Sequence, residues 1–287
     1  MFKRIDQSKW LQSVIPLILT LVILAALSAL LYVFVAFLNI LPTGTKISLV
    51  VRPVEVLVGI TIYLKTAIDF AIFMGRLMST NQGWRSRVAI EVGTALGNAL
   101  GTILIIGIWV IFKEVDLLLA LMVFLAALVL FELAHGGLEH IEHWESGSRI
   151  KKSSYLFLHH FLDFVTKITK PILSKIMPDL GAKLTGRDGL TWKALFVFSL
   201  SVPFILGLDD FAGYIPLFNV INILGFSLGV FTAHTLLNIA LFLSPSRTIV
   251  AVKNEYISFL GTLAFIGLGF YGLYEVFRIL IHVIVGV

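Results

Sequence analysis

From Ser13 to Leu38 the chain carries no charged residue, a run longer than the roughly 20 residues needed to cross a hydrocarbon core about 30 Å thick. It follows a basic start, MFKRIDQSKW, as a secretory signal would. A signal core is only about 7–15 residues long, however, and no small-residue cleavage site follows, so the run reads as a transmembrane helix. Six further apolar stretches lie near 54–78, 87–112, 115–134, 192–215, 219–243 and 256–281, separated by Pro, Gly and charge clusters that act as breaks. With 58% hydrophobic and 14% charged residues, there is more apolar surface than a water-soluble core could hide. The expectation is an all-α integral membrane protein with seven transmembrane helices, and not a soluble enzyme. The absence of cysteine removes disulfides, thiolate metal sites and cysteine nucleophiles.

Lys and Arg set the orientation. With the N-terminus cytoplasmic, 17 of the 22 fall on the inner side, nine of them between Arg149 and Lys193. Lys46, Arg52, Lys113 and Arg278 fall outside, and Lys65 is intramembrane. This asymmetry follows the positive-inside rule. It predicts a multi-pass protein of the cell (inner or plasma) membrane with the C-terminus opposite the N-terminus. The hydrophilic segment 135–191 then lies inside. Within it Leu158, Phe161, Leu162, Val165, Ile168 and Ile172 recur at helical spacing, with Lys167, Lys170 and Lys175 on other faces. That pattern reads as an amphipathic helix on the anionic inner leaflet. Lipid is the expected partner and nucleic acid is not; a homo-oligomer is left open.

Two short segments resemble each other. Asp69-Phe70-Ala71 in TAIDFAIFMG corresponds to Asp210-Phe211-Ala212 in GLDDFAGYIP. Each precedes a glycine-spaced helix that reaches an asparagine: Gly93, Gly97, Asn98 and Gly101 in the first half, and Gly225, Gly229, His234 and Asn238 in the second. With three spans per unit, the second must enter the membrane with inverted polarity. The expected organisation is therefore an N-terminal stub, first helix and outer loop (1–53), a three-helix repeat (54–134), a cytoplasmic loop (135–191) and a second three-helix repeat (192–287). Chance similarity is the alternative.

A carboxylate in the bilayer interior costs at least about 2.5 kcal/mol on insertion scales, so Asp69, Glu91, Asp209, Asp210 and Glu275 each need a reason. Lys65, one turn before Asp69, is a ready charge partner. Asp209 and Asp210 sit among Pro203, Gly207, Gly213 and Pro216, residues that interrupt a helix and free carbonyls for a cation. Asp209 also fits an acid at the outer headgroup boundary. His234 and Asn238 share one helix face, as do Glu91, Thr94 and Asn98; interhelical hydrogen bonding is the other reading of such groups. The set is rich in oxygen and lacks thiolates, which suits Mn²⁺, Ca²⁺ or Mg²⁺ better than soft ions.

The motifs AIDFAIFMG and LDDFAGYI, each followed by a Gly/Asn-bearing helix in a three-plus-three arrangement, make residues 54–281 resemble the superfamily of lysine exporters, TerC-type proteins and bacterial manganese and cadmium exporters. The resemblance implies a six-helix inverted-repeat core, here preceded by one additional helix, and cation-coordinating acids at Asp69 and Asp210. On this reading the protein is a secondary transporter, an exporter, of a divalent cation. The cation is its substrate, and no firm cofactor is implied. Lys65, the doubled acid and the long histidine-bearing loop depart from the family's pattern.

His135, His140 and His143, with Glu139, begin at the inner end of the fourth span. If the helix continues, Glu132, His135, Glu139 and His143 fall on one face and could hold a regulatory metal ion; a solvated helix extension is the plainer alternative. These histidines with His159 and His160 also raise a membrane-embedded di-iron enzyme as a rival function, and a non-catalytic channel or scaffold is a third.

Overall fold

The computed structural model describes residues 9–42, 46–81, 83–176, 191–206 and 214–285. Ten α-helices occupy most of them: α1 (Lys9–Leu38), α2 (Pro53–Thr66), α3 (Ile68–Thr80), α4 (Trp84–Phe112), α5 (Asp116–Leu138), α6 (Arg149–Ile176), α7 (Trp192–Leu206), α8 (Ile223–Leu243), α9 (Pro245–Val252) and α10 (Glu255–Val285). Five helices are long and apolar enough to cross a membrane, and six if α2 and α3 together make one span. Their outward faces are apolar. Val33, Phe37, Leu104, Phe277 and Ile284 are each more than half exposed, a surface that water would penalise and hydrocarbon accepts.

One of the stretches read from sequence as a single span differs from that expectation. Stretch 54–78 is a helix pair bent by 67°, turning at Ala67, where ψ of 22° leaves the helical range. No Gly or Pro marks the break; the Thr66 hydroxyl and the Ala67 N–H both turn back to the Tyr63 carbonyl, closing α2 before α3 starts. Of stretch 192–215, the residues described ahead of 207–213 form α7, Trp192–Leu206.

Glycines decide how the helices pair. A Cβ on Gly59 would strike the Phe226 carbonyl, one on Gly225 would strike Glu55, and one on Gly229 would strike the Val56 carbonyl. Residue numbers rise together along this contact, so α2 and α8 run parallel with their backbones touching. Their starts are tied as well: the Asn222 side chain caps α8 at Leu224 N and donates to the Val50 carbonyl just ahead of α2. The same construction joins α4 to α7, where Gly93 meets the Phe196 carbonyl and Gly97 meets the Leu200 carbonyl and Pro203. Helices α5 and α10 run antiparallel, with Gly137 against Thr262, Gly269 against Phe131 and Gly272 against Ala127. Small residues at such seams allow the close backbone approach on which helix packing in lipid depends. The core between the pairs holds Leu31, Met74, Ile90, Ile106, Phe226 and Phe265, all 2% exposed or less.

Helix α6 is amphipathic in two directions. Leu158, Leu162 and Leu173 are buried, with Leu173 packed against Leu128 and Val129 of α5. Phe157, Phe164, Ile168 and Ile172 remain exposed beside Lys167 and Lys170, a face suited to lying in a headgroup boundary. The six apolar residues singled out from sequence thus divide between two faces. Sequence spacing specifies a helix but not which of its apolar stripes finds a protein neighbour.

Candidate functional site

Near the midpoint of α8, His234 is 2% exposed and Asn238 is 1% exposed. One turn apart, they begin a hydrogen-bonded chain that crosses three helices. The Asn238 amide nitrogen lies 3.0 Å from His234 Nε2 and 3.3 Å from the Thr94 hydroxyl of α4. His234 Nδ1 is 2.5 Å from the Tyr63 hydroxyl of α2. Because Nε2 accepts from the amide, the neutral ring carries its proton on Nδ1 and donates it to Tyr63. The Thr94 hydroxyl gives its proton to the Ile90 carbonyl at 2.9 Å and so accepts from Asn238. Asn238 Oδ1 is then a buried oxygen with no donor. Asn98 lies one turn beyond Thr94 and is 3% exposed, and Thr235 is also buried.

Glu91 borders this chain. It is 2% exposed, one turn before Thr94, and its Oε2 lies 2.7 Å from Thr20 Oγ1 of α1. Its Oε1 is buried without a partner.

The helix break adjoins the chain from the other side. The Phe70 ring packs 5.3 Å from the His234 ring, and Asp69, in the first turn of α3, is exposed. It lies within electrostatic reach of His140. The charge pair expected between Lys65 and Asp69 is replaced by another contact. Lys65 is 7% exposed and donates to the Ser258 carbonyl at 2.9 Å, its stem filling the space that Gly261 leaves open. Asp209 and Asp210 lie outside the described residues. Glu275 is buried against Arg278 at 2.6 Å.

The inner histidines find separate partners. Helix α5 ends at Leu138 and residues Glu139–Ser146 form a 3-10 helix, whose threefold repeat ends the register that would have aligned His135 with His143. His135 Nε2 and His159 Nδ1 instead flank Asp163, at 2.9 and 3.0 Å. The hydrogen bond from His135 is the main cause holding the Asp163 carboxyl below its usual range. His143 meets Glu255, which also accepts from Trp144 at 2.6 Å and from Lys151 at 2.9 Å; the bond to Glu255 raises the Lys151 ammonium above its ordinary value. His140 is half-buried and Glu139 exposed. Among the described residues, no three His, Asp or Glu side chains converge as a metal-binding group.

Sequence reasoning missed Tyr63, Thr20, Ser258, Asp163 and Glu255. Each is the partner of a residue it did single out. A buried imidazole or carboxyl demands a partner, but several hydroxyls in the neighbouring spans meet that demand equally well on paper. No family model, curated protein or solved structure significantly matches this chain.

Proposed function

We propose that this protein is a secondary transporter, an exporter, of a divalent metal cation, carried through a site between two inverted three-helix repeats. The carrying observation is the discontinuous α2–α3 helix. Its break, with Asp69 in the first turn beyond it, abuts the buried Tyr63–His234–Asn238–Thr94 chain, which joins helices from both halves of the sequence. Broken helices of this kind supply free carbonyls and helix ends to a cation at mid-membrane depth. Asn238 Oδ1, buried and lacking a donor, adds an oxygen suited to a hard cation.

The helix pairing supports the repeat. Exchanging the halves turns the parallel pair α2–α8 into the parallel pair α7–α4 and returns the antiparallel pair α5–α10 to itself. An axis lying in the membrane plane relates units in that way. In this reading α7 completes seven crossings, the N-terminus and 135–191 lie inside, α6 rests on the anionic inner leaflet, and Asp210 supplies the second acid. The motif resemblance to lysine, TerC-type and manganese or cadmium exporters points the same way.

The test is a flux panel in proteoliposomes with Mn²⁺, Ca²⁺ and Mg²⁺, comparing wild type with Asp69→Asn and Asp210→Asn. Flux of at least one ion is expected to fall by about tenfold or more in each variant, the kinetic equivalent of about 1.4 kcal/mol. Equal flux in all three proteins would remove the shared acid site, and no flux in wild type would remove the transporter.

A further inference from the structure

Thr20 stands between two acceptors. Its Oγ1 lies 2.9 Å from the Pro16 carbonyl and 2.7 Å from Glu91 Oε2, both hydrogen-bond distances. A hydroxyl has one proton to donate, and a backbone carbonyl has none. If that proton goes to Pro16, the short contact to Glu91 requires the hydrogen to come from Glu91. If it goes instead to a Glu91 carboxylate, the Thr20 and Pro16 oxygens face each other with lone pairs only. A hydroxyl proton shared between the two acceptors is weakened at both; the arrangement that gives each contact a proton of its own has Glu91 as a carboxylic acid whose Oε2–H donates to Thr20.

Two independent features agree. Glu91 Oε1 is buried with no donor, tolerable for the carbonyl oxygen of a neutral acid and costly for a carboxylate. The cation on the same helix face makes no ion pair with Glu91. Arg87, one turn earlier on the same helix, lays its guanidinium 4.9 Å over the Phe242 ring of α8, and its Nε is buried without a partner. The other titratable groups nearby are reached through Thr94 and Asn238: His234 of α8 and, beyond it, Tyr63 of α2.

From this proton count we infer that Glu91 is the proton-carrying site of the protein and that its proton is exchanged for the transported cation. The exchange rests on the transporter reading; the proton on Glu91 does not. Release breaks the Glu91 O–H bond, gives the proton to water, and leaves a carboxylate that draws Arg87 off Phe242 into an ion pair. Thr20 can then donate to that carboxylate. Uptake from the opposite side reverses each step. Helices α1, α4 and α8 meet at this point, so the protonation state of one side chain selects between two sets of contacts among them.

Infrared spectroscopy of the full-length protein in lipid nanodiscs tests the proton. Wild type at neutral pH is expected to show a protonated-carboxyl C=O band that Glu91→Gln lacks and that moves to higher frequency in Thr20→Val, where the acceptor is gone. A band undiminished in Glu91→Gln overturns the proposal. Proteoliposomes test the exchange: an opposing pH gradient should accelerate cation flux at least tenfold in wild type, and Glu91→Gln should lose that acceleration. Wild-type flux indifferent to the pH gradient overturns the exchange. Absence of any cation flux overturns the transporter reading and the exchange with it, while the infrared result still decides where the proton resides.

Discussion

Replacing Gly229 by alanine tests the parallel α2–α8 seam, because every atom the new methyl would meet belongs to backbone. It would overlap the Val56 carbonyl and come to 3.0 Å from both Gly59 Cα and Ile60 N, where ordinary contact begins near 3.4 Å. Side chains relieve such overlaps by changing rotamer; two helix backbones must separate. Overpacking of this kind costs about 1–3 kcal/mol, and alanine returns up to about 1 kcal/mol through its higher helix propensity. The net expectation is a loss of up to about 3 kcal/mol, and about 0–2 kcal/mol if alanine returns its full propensity gain. Gly267 provides the control, since a Cβ there meets nothing within 4 Å and Gly267→Ala should be neutral or stabilising by up to about 1 kcal/mol. Reversible unfolding of the purified protein in mixed micelles, followed by circular dichroism, measures both. If Gly229→Ala and Gly267→Ala shift stability equally, the backbone contact between α2 and α8 is not there.

Cysteines placed singly at Lys46 and Ser153 should react with an impermeant maleimide from opposite faces of the membrane; labelling from one face would refute the proposed orientation. Tyr63→Phe should cost about 1–3 kcal/mol by leaving a buried His234 nitrogen unpaired, read in the same unfolding assay, and a neutral result would mean that water replaces the hydroxyl. Asp163 has its carboxyl held below the ordinary range in the folded protein, first by His135. Its contribution to docking α6 on α5 is therefore present above the unfolded carboxylate value of about 3.9 and lost as pH falls through the lower folded value. Protease cleavage within α6 should stay slow from neutral pH down to about pH 4 and rise below it, while Asp163→Asn should already cleave faster at neutral pH and converge with wild type at the acid end.

The pattern of spans was legible because lipid imposes a single strong rule: about 20 apolar residues per crossing and charges at the ends. Stretches 87–112 and 256–281 fall within single helices, while 115–134 and 219–243 begin one and four residues ahead of the helices Asp116–Leu138 and Ile223–Leu243 that they match. The glycine faces were legible for a similar reason, since Gly225-x3-Gly229 has few uses in an apolar helix other than close approach. The break at Ala67 was not legible. It lies in YLKTAIDF, with no Gly or Pro, so it follows from where α8, α9 and Lys65 need the chain and not from local preference. The histidine face failed for a geometric reason, because four-residue spacing assumes a helix that in fact tightens at Glu139. His234, Asn238, Thr94 and Glu91 could be named from sequence as groups that need partners, but which of them meet depends on how α4 packs against α8, and periodicity does not report that.

The two parallel pairs also bear on how a site between the halves could open to each side. Backbone contact locks α2 to α8 and α4 to α7, so each pair behaves as one rigid unit. Across the boundary between them, among the described residues, stand the 3.3 Å contact of Asn238 with Thr94, longer than most hydrogen bonds and worth about 1 kcal/mol at best, and the Arg87 guanidinium over the Phe242 ring. Motion should therefore take place at that boundary, with the units rocking and the seams intact. A disulfide between cysteines at Thr94 and Asn238 would fasten the units together, whereas one between Ala127 and Gly272, whose built Cβ lies 3.0 Å from that of Ala127, would fasten α5 to α10 along a seam that does not open. A bridge needs Cβ atoms about 3.5–4.5 Å apart, so the 127–272 pair must part slightly, and the 94–238 pair, whose side-chain tips meet at 3.3 Å, must draw its backbones together. Oxidation should abolish whatever flux the reduced first double variant retains without the Asn238 amide, and leave the second unaffected. Full flux in an oxidised 94–238 protein, with the bridge verified by mass spectrometry, would show that the boundary between α4 and α8 stays closed during transport.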